Sequence, residues 1–127
     1  MKTFQSLVLA GVGIFLSMAV AQDPAPTSGL GLMTASEAYD KAEKEMNEAY
    51  AKLTIAANSV GKERLKKAQS AWAQYRDAEA AFSCSYLAGG PYEKMEYCVQ
   101  LRKETDKRTR DLKQTYEWMR QVSIEQQ

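Results

Sequence analysis

The sequence predicts an all-α protein: a small antiparallel three-helix bundle stapled by one disulfide. Three observations predict it. Apolar residues recur at helical spacing in three consecutive blocks. Breaks at Asn58-Ser59-Val60-Gly61 and at Gly89-Gly90-Pro91 separate the blocks. The chain's two cysteines, Cys84 and Cys98, flank the second break.

The N-terminus precedes the bundle and sets its compartment. Residues 1–21 read MKTFQSLVLAGVGIFLSMAVA. Lys2 supplies a short positive region, Leu7–Met18 is uncharged and apolar, and Ala19-Val20-Ala21 offers the small-x-small pattern of a signal-peptidase site. The apolar run is shorter than the roughly 20 residues that span a bilayer. Cleavage after Ala21 is expected, with a periplasmic or secreted product and no stable membrane anchor. Residues 22–33 (QDPAPTSGLGLM) then read as a flexible leader, 34–122 as one helical domain and 123–127 as a C-terminal tail.

The first helix is expected from Thr34, where Thr34 and Glu37 fit a capping box. Tyr39, Met46, Leu53 and Val60 recur every seven residues, Ala42, Ala49 and Ala56 fill the intermediate positions, and Tyr50 and Ala57 widen the stripe. Gly61 suits a left-handed cap that ends it. The second helix is expected over Lys62–Leu87, with Leu65, Ala68, Trp72, Tyr75, Phe82 and Tyr86 as its apolar stripe. The third is expected over Tyr92–Val122, with Met95, Cys98, Val99, Leu112, Tyr116 and Met119 facing inward and a polar gap between Arg102 and Asp111. Short turns between three helices imply an up-down-up bundle. In an oxidising compartment an even pair of cysteines implies one bridge, here Cys84–Cys98 across the hairpin. Closing such a loop of about 15 residues contributes roughly 3 kcal/mol.

Composition narrows the chemistry. Lys and Arg total 17 against 16 Asp and Glu, so no net basic footprint for nucleic acid exists. The chain has no histidine, the commonest general base, and two cysteines alone make a poor zinc site. No nucleophile elbow or phosphate-cradling loop is present. The expectation is a non-enzymatic protein with no cofactor, no metal and no catalytic residues. Charge is unevenly shared: Asp23–Lys52 carries three basic and six acidic residues, whereas Lys62–Glu79 carries five and three.

The stretch SAWAQYRDAEAAF, residues 70–82, sets Arg76, Asp77 and Glu79 among Trp72, Tyr75 and Phe82. Gln69 and Arg76 lie beside that seam, and Thr105, Arg108 and Thr109 fall where the third helix loses its apolar stripe. The favoured reading is an internal network in which Arg76 or Arg108 pairs with Glu79 while Gln69 and the threonines complete the hydrogen bonds. The other reading is a partner-binding face that uses Arg76 or Arg108.

Several of these residues follow one order. Gln69-x-x-Trp72-x-x-Tyr75-Arg76-Asp77, then Gly89-Gly90, Cys98 and Thr105-x-x-Arg108-Thr109-x-x-Leu112, preceded by Met46-Asn47-x-x-Tyr50-x-x-Leu53, resemble the LprI-type lysozyme-inhibitor N-terminal domain family. That family comprises small exported helical domains of bacteria, and the resemblance covers about Glu37–Tyr116. It departs at Ala80, where members often carry a cysteine, and at Met46, usually leucine. The resemblance implies a domain that binds and inhibits a lysozyme-type muramidase. The alternative is an envelope interaction or scaffold module with a different protein partner. A glycosidase cleft carries two carboxylates, which a protruding loop or a basic side chain can occupy. The turn Leu87–Tyr92, with Gly89, Gly90 and Pro91, is therefore the first candidate contact, and Arg76 and Arg108 are the second.

Overall fold

The computed structural model describes residues 28–125; the expected signal peptide and most of the leader lie outside that range. Helix α1 spans Ser28–Ala56, α2 spans Ser59–Ser83, a 3-10 turn covers Ser85–Leu87, and α3 spans Glu93–Glu125. No strand occurs among the described residues. Gln69 of α2 reaches both Met46 of α1 and Arg108 of α3, so all three helices meet at mid-height. Thr34 and Ala38 of α1 share a groove with Met95 and Arg102 of α3, and Ala56 shares one with Met119 and Ser123. Helices α1 and α3 thus run parallel, with α2 antiparallel to both. The broadest contact joins α1 to α3, not the chain neighbours.

Spacing explains the α1–α3 seam. Ala42, Met46, Ala49 and Leu53 along α1, and Ala57 just past its end, are buried at intervals of three or four residues. Three of the five are alanine, which lets α3 approach closely. Leu101 and Leu112 of α3 are buried opposite, and Tyr50, Leu65, Trp72, Tyr116 and Met119 close around the Met46–Leu53–Leu112 cluster.

The polar gap of α3 belongs to this interior. Glu104, Thr105 and Thr109 are buried. Each threonine satisfies its own hydroxyl: Thr105 Oγ1 donates to the Leu101 carbonyl at 2.8 Å and Thr109 Oγ1 to the Thr105 carbonyl at 3.0 Å. That local back-bonding allows threonine to pack as a small apolar residue would. Glu104 Oε1 accepts a hydrogen bond from Lys107 Nζ at 2.7 Å.

Several boundaries differ from the expected ones. α1 starts at Ser28, so Thr34 is an interior residue whose hydroxyl donates to the Leu30 and Gly31 carbonyls, and there is no capping box. Burial of Gly31 and half-burial of Leu32 outweigh the poor helix propensity of this stretch. Gly61 does not end α1. It lies in the first turn of α2, where its N–H donates to Asn58 Oδ1 at 2.8 Å and Asn58 is the N-cap. Val60 consequently leaves the α1 seam and is exposed, as is Ala56. α2 ends at Ser83 and not at the expected Leu87; on it Ala80 is the fully buried residue, whereas Tyr75 and Phe82 face outward, as does Tyr86 in the 3-10 turn. The α2 interface is narrow, so a helix read as having a wide apolar stripe buries one strip of it.

The expected disulfide is absent: Cys84 and Cys98 are free thiols. Both line one groove with Leu32 and Tyr97. However, Cys84 is the C-cap residue of α2 and its Sγ turns back toward the Ala81 carbonyl at 3.5 Å. A bridge requires Cβ atoms about 3.5–4.5 Å apart with converging sulfurs, and here they do not converge. Burial and the nearby Asp40 carboxylate raise the Cys98 pKa, which favours the neutral thiol. Packing and the Arg108–Gln69 hydrogen bond, not a covalent bridge, join α2 to α3.

Candidate functional site

Arg76 of α2 and Arg108 of α3 meet at one ring, that of Trp72. Trp72 packs on the core cluster. The Arg76 guanidinium, one helical turn further on, lies 5.1 Å from the Trp72 ring centroid and 5.6 Å from that of Tyr39 on α1. Arg108 of α3 approaches the same indole at 5.9 Å. Cation–π contacts of this kind contribute about 0.5–2 kcal/mol, more when desolvated.

The two arginines differ in their partners. The Arg76 side chain is 11 % exposed and bonds Asp77 Oδ1 through Nε at 2.8 Å and through a terminal nitrogen at 2.7 Å, with Glu43 at 3.5 Å. Burial disfavours its charge, but the Asp77 hydrogen bond and the neighbouring Tyr39, Asp77 and Glu43 outweigh that, and its pKa is raised. Arg108 donates from Nε to Gln69 Oε1 at 3.0 Å and joins no ion pair among the described residues. Burial lowers its pKa, countered in part by Asp111. Gln69 completes the chain of contacts with its amide against Met46 Sδ at 2.8 Å. Glu79, the expected partner, pairs with neither arginine. Asp77 and Glu43 take that place because Asp77 is adjacent in sequence and Glu43 faces Arg76 from α1. The threonines bond their own helix instead of the arginines.

Tyr39, expected only as part of the α1 apolar stripe, and Glu43, which the sequence did not single out, complete the cluster. Their spacing of four residues was the available signal. Tyr39 Oη donates to Glu43 Oε1 at 2.9 Å. Burial, first, and that hydrogen bond push the Tyr39 pKa up to about 12 from an ordinary 10.0. A raised folded-state pKa means that the folded chain holds the proton more tightly than the unfolded chain. The corresponding stability is therefore complete below pH 10 and is lost as pH climbs through about 12. A Tyr39→Phe variant should be less stable than the parent at pH 8, and that gap should shrink between pH 10 and 12. Thermal unfolding of both proteins across this range checks it; a constant gap counts against the assignment.

A second element lies beyond the C-terminus of α2. Gly89 has φ +76°, a conformation that other residues adopt at a cost of about 1–2 kcal/mol. A Cβ on Gly90 would stand 2.9 Å from the Leu87 carbonyl oxygen. The Gly89 N–H donates to Glu93 Oε2 and the Gly90 N–H to the Leu87 carbonyl, both at 2.8 Å. These bonds hold the loop in one shape. It presents Gly89, Gly90 and Pro91 to solvent, with Phe82, Tyr86 and Tyr92 exposed around it by 74, 76 and 40 %. Arg76 lies about 10 Å further down α2, seven residues before Ser83 at 1.5 Å rise each. The fold therefore does not bring Gly89, Gly90 and Pro91 together with Arg76 and Arg108.

Chemically, the cluster around Trp72 joins three helices, and the loop offers an exposed, hydrogen-bonded surface with aromatic flanks. Among the described residues no group of three His, Cys, Asp or Glu is placed to hold a metal ion. No curated protein and no solved structure matches the chain at a significant level. The family model described as lysozyme inhibitor LprI matches residues 21–112, which include α1, α2 and α3 as far as the motif residue Leu112. On that match, over more than half of its length, the chain belongs to the LprI lysozyme-inhibitor family.

Proposed function

We propose that this chain is an exported, non-enzymatic domain that binds and blocks a lysozyme-type muramidase, with the Gly89-Gly90-Pro91 loop as its inhibitory contact. Family membership carries this reading. The signal-like residues 1–21 support export to the periplasm or beyond, where such an enzyme acts.

The loop is favoured over the arginines on physical grounds. An inhibitor loses least entropy on binding when its contact loop is already ordered. This loop is held by two backbone donors and by two glycine-specific geometries. Exposed Tyr86 and Phe82 beside it suit an interface, where aromatic residues dominate the binding energy. Arg76 is only 11 % exposed and already paired. Arg108 has unused N–H donors but is half-buried at mid-bundle.

In a cell-wall clearing assay, stoichiometric protein should slow lysozyme. Tyr86→Ala or Phe82→Ala should weaken that inhibition about thirtyfold, the effect of losing roughly 2 kcal/mol at an interface hot spot. Both variants should melt within a few degrees of the parent, since exposed substitutions cost about 0.5 kcal/mol or less. Capture of lysozyme without inhibition would favour a scaffold role, and absence of both would exclude lysozyme as the partner.

A further inference from the structure

The end of the bundle opposite the Gly89 loop carries a surface that neither the core nor the loop explains. Because α1 and α3 are parallel, the last turn of α1, the first turn of α2 and the last turns of α3 lie together there. Four large apolar side chains are exposed on them: Ile55, Val60, Trp118 and Ile124, each by more than half of its surface. Beside them α2 opens with Lys62, Arg64, Lys66 and Lys67 against Glu63 alone. All four basic residues are exposed, and none forms an ion pair among the described residues.

We propose that this end docks reversibly on the surface of a bilayer rich in anionic phospholipid. The combination suits a membrane interface better than the alternatives. Trp118 is of the type that settles at headgroup depth, and Ile55, Val60 and Ile124 can enter the outer acyl region a few ångströms deeper. The lysines and Arg64 meet the phosphates at the surface. The apolar groups have unpaired basic residues beside them, which suits a charged bilayer surface, whereas the centre of a protein interface is depleted of charge. A soluble polyanion would leave them in water. A second copy docked end to end would bring two basic clusters together. No helix among the described residues is long and apolar enough to cross a membrane, so the contact is superficial. The proposal does not depend on lysozyme inhibition.

The test uses the protein recovered from the exported fraction with two sets of vesicles: phosphatidylglycerol mixed with phosphatidylcholine, and phosphatidylcholine alone. Sedimentation should show binding to the anionic vesicles that weakens with salt, and little to the neutral ones. A Lys62→Gln, Lys66→Gln, Lys67→Gln variant should partition about a hundredfold less, roughly a factor of five for each charge removed. Brominated lipid should quench tryptophan emission in the parent and not in Trp118→Phe, in which Trp72 alone remains. Equal binding to both vesicles, an unaffected triple variant, or quenching that survives Trp118→Phe would each overturn the proposal. Concentration-dependent oligomers in place of vesicle binding would assign the surface to a second copy instead, and would also overturn it.

Discussion

Replacing Leu112 with alanine is expected to lower the melting temperature by 10 °C or more. Leu112 is 2 % exposed and sits where all three helices converge on Met46, Ala49 and Leu53, with Trp72 and Tyr116 packed around it. Leu→Ala at such sites costs about 2–5 kcal/mol, because the cavity left behind collapses only in part. Each kcal/mol moves the midpoint of a domain of this size by about 4–8 °C. Total stability is of the order of 5–15 kcal/mol, and no disulfide is present to limit the unfolded chain. The variant should therefore stand near the edge of folding at growth temperature. Ile124→Ala on the same helix, 66 % exposed, is the control and should shift the midpoint little. Far-UV circular dichroism during heating measures both. Equal, small shifts would mean that the α1–α3 seam is not the principal core.

Arg76→Ala is expected to destabilise the fold by about 2–3 kcal/mol, whereas Arg108→Met should change it by less than about 1 kcal/mol. Removing Arg76 strips the cation from Tyr39 and Trp72 and leaves Asp77 and Glu43 facing each other without it. Removing Arg108 takes away one hydrogen bond, to Gln69, but also a partly desolvated charge that has no carboxylate partner. Replacing such a charge by an apolar side chain of similar reach is often close to neutral. Urea titration of both variants reads the difference directly. An Arg76→Ala protein that keeps the parental midpoint and fails to inhibit lysozyme would move the functional surface from the Gly89 loop to the α2 motif.

The residues singled out in the sequence fall into three groups by position. Gln69, Trp72, Arg76, Thr105, Thr109 and Leu112 lie inside the bundle or against it, so packing accounts for them. Tyr75 and Asp77 sit on the outer side of α2, and Asp77 is tied to Arg76. Gly89 and Gly90 shape a loop whose exposed neighbours are the aromatic residues that the α2 pattern had assigned to the core.

What the sequence determined by itself was local. The period of the apolar residues names three helices, since burying one stripe of each is the only way to remove those side chains from water. The chain breaks place the turns within a few residues, and the composition lacks histidine, the commonest general base. The tertiary structure decided what depends on partners distant in the chain. Parallel α1 and α3 claim the broad interface, which leaves α2 a narrow strip and turns Phe82 and Tyr86 outward. Arg76 selects Glu43 of α1 over Glu79 of its own helix, because only the packed bundle brings Glu43 within reach. The thiols stay apart because the α2 cap aims Cys84 at its own backbone. Period and spacing specify which face of a helix is apolar. How much of that face a neighbour covers is set by the distances between helices, and a linear pattern does not contain those.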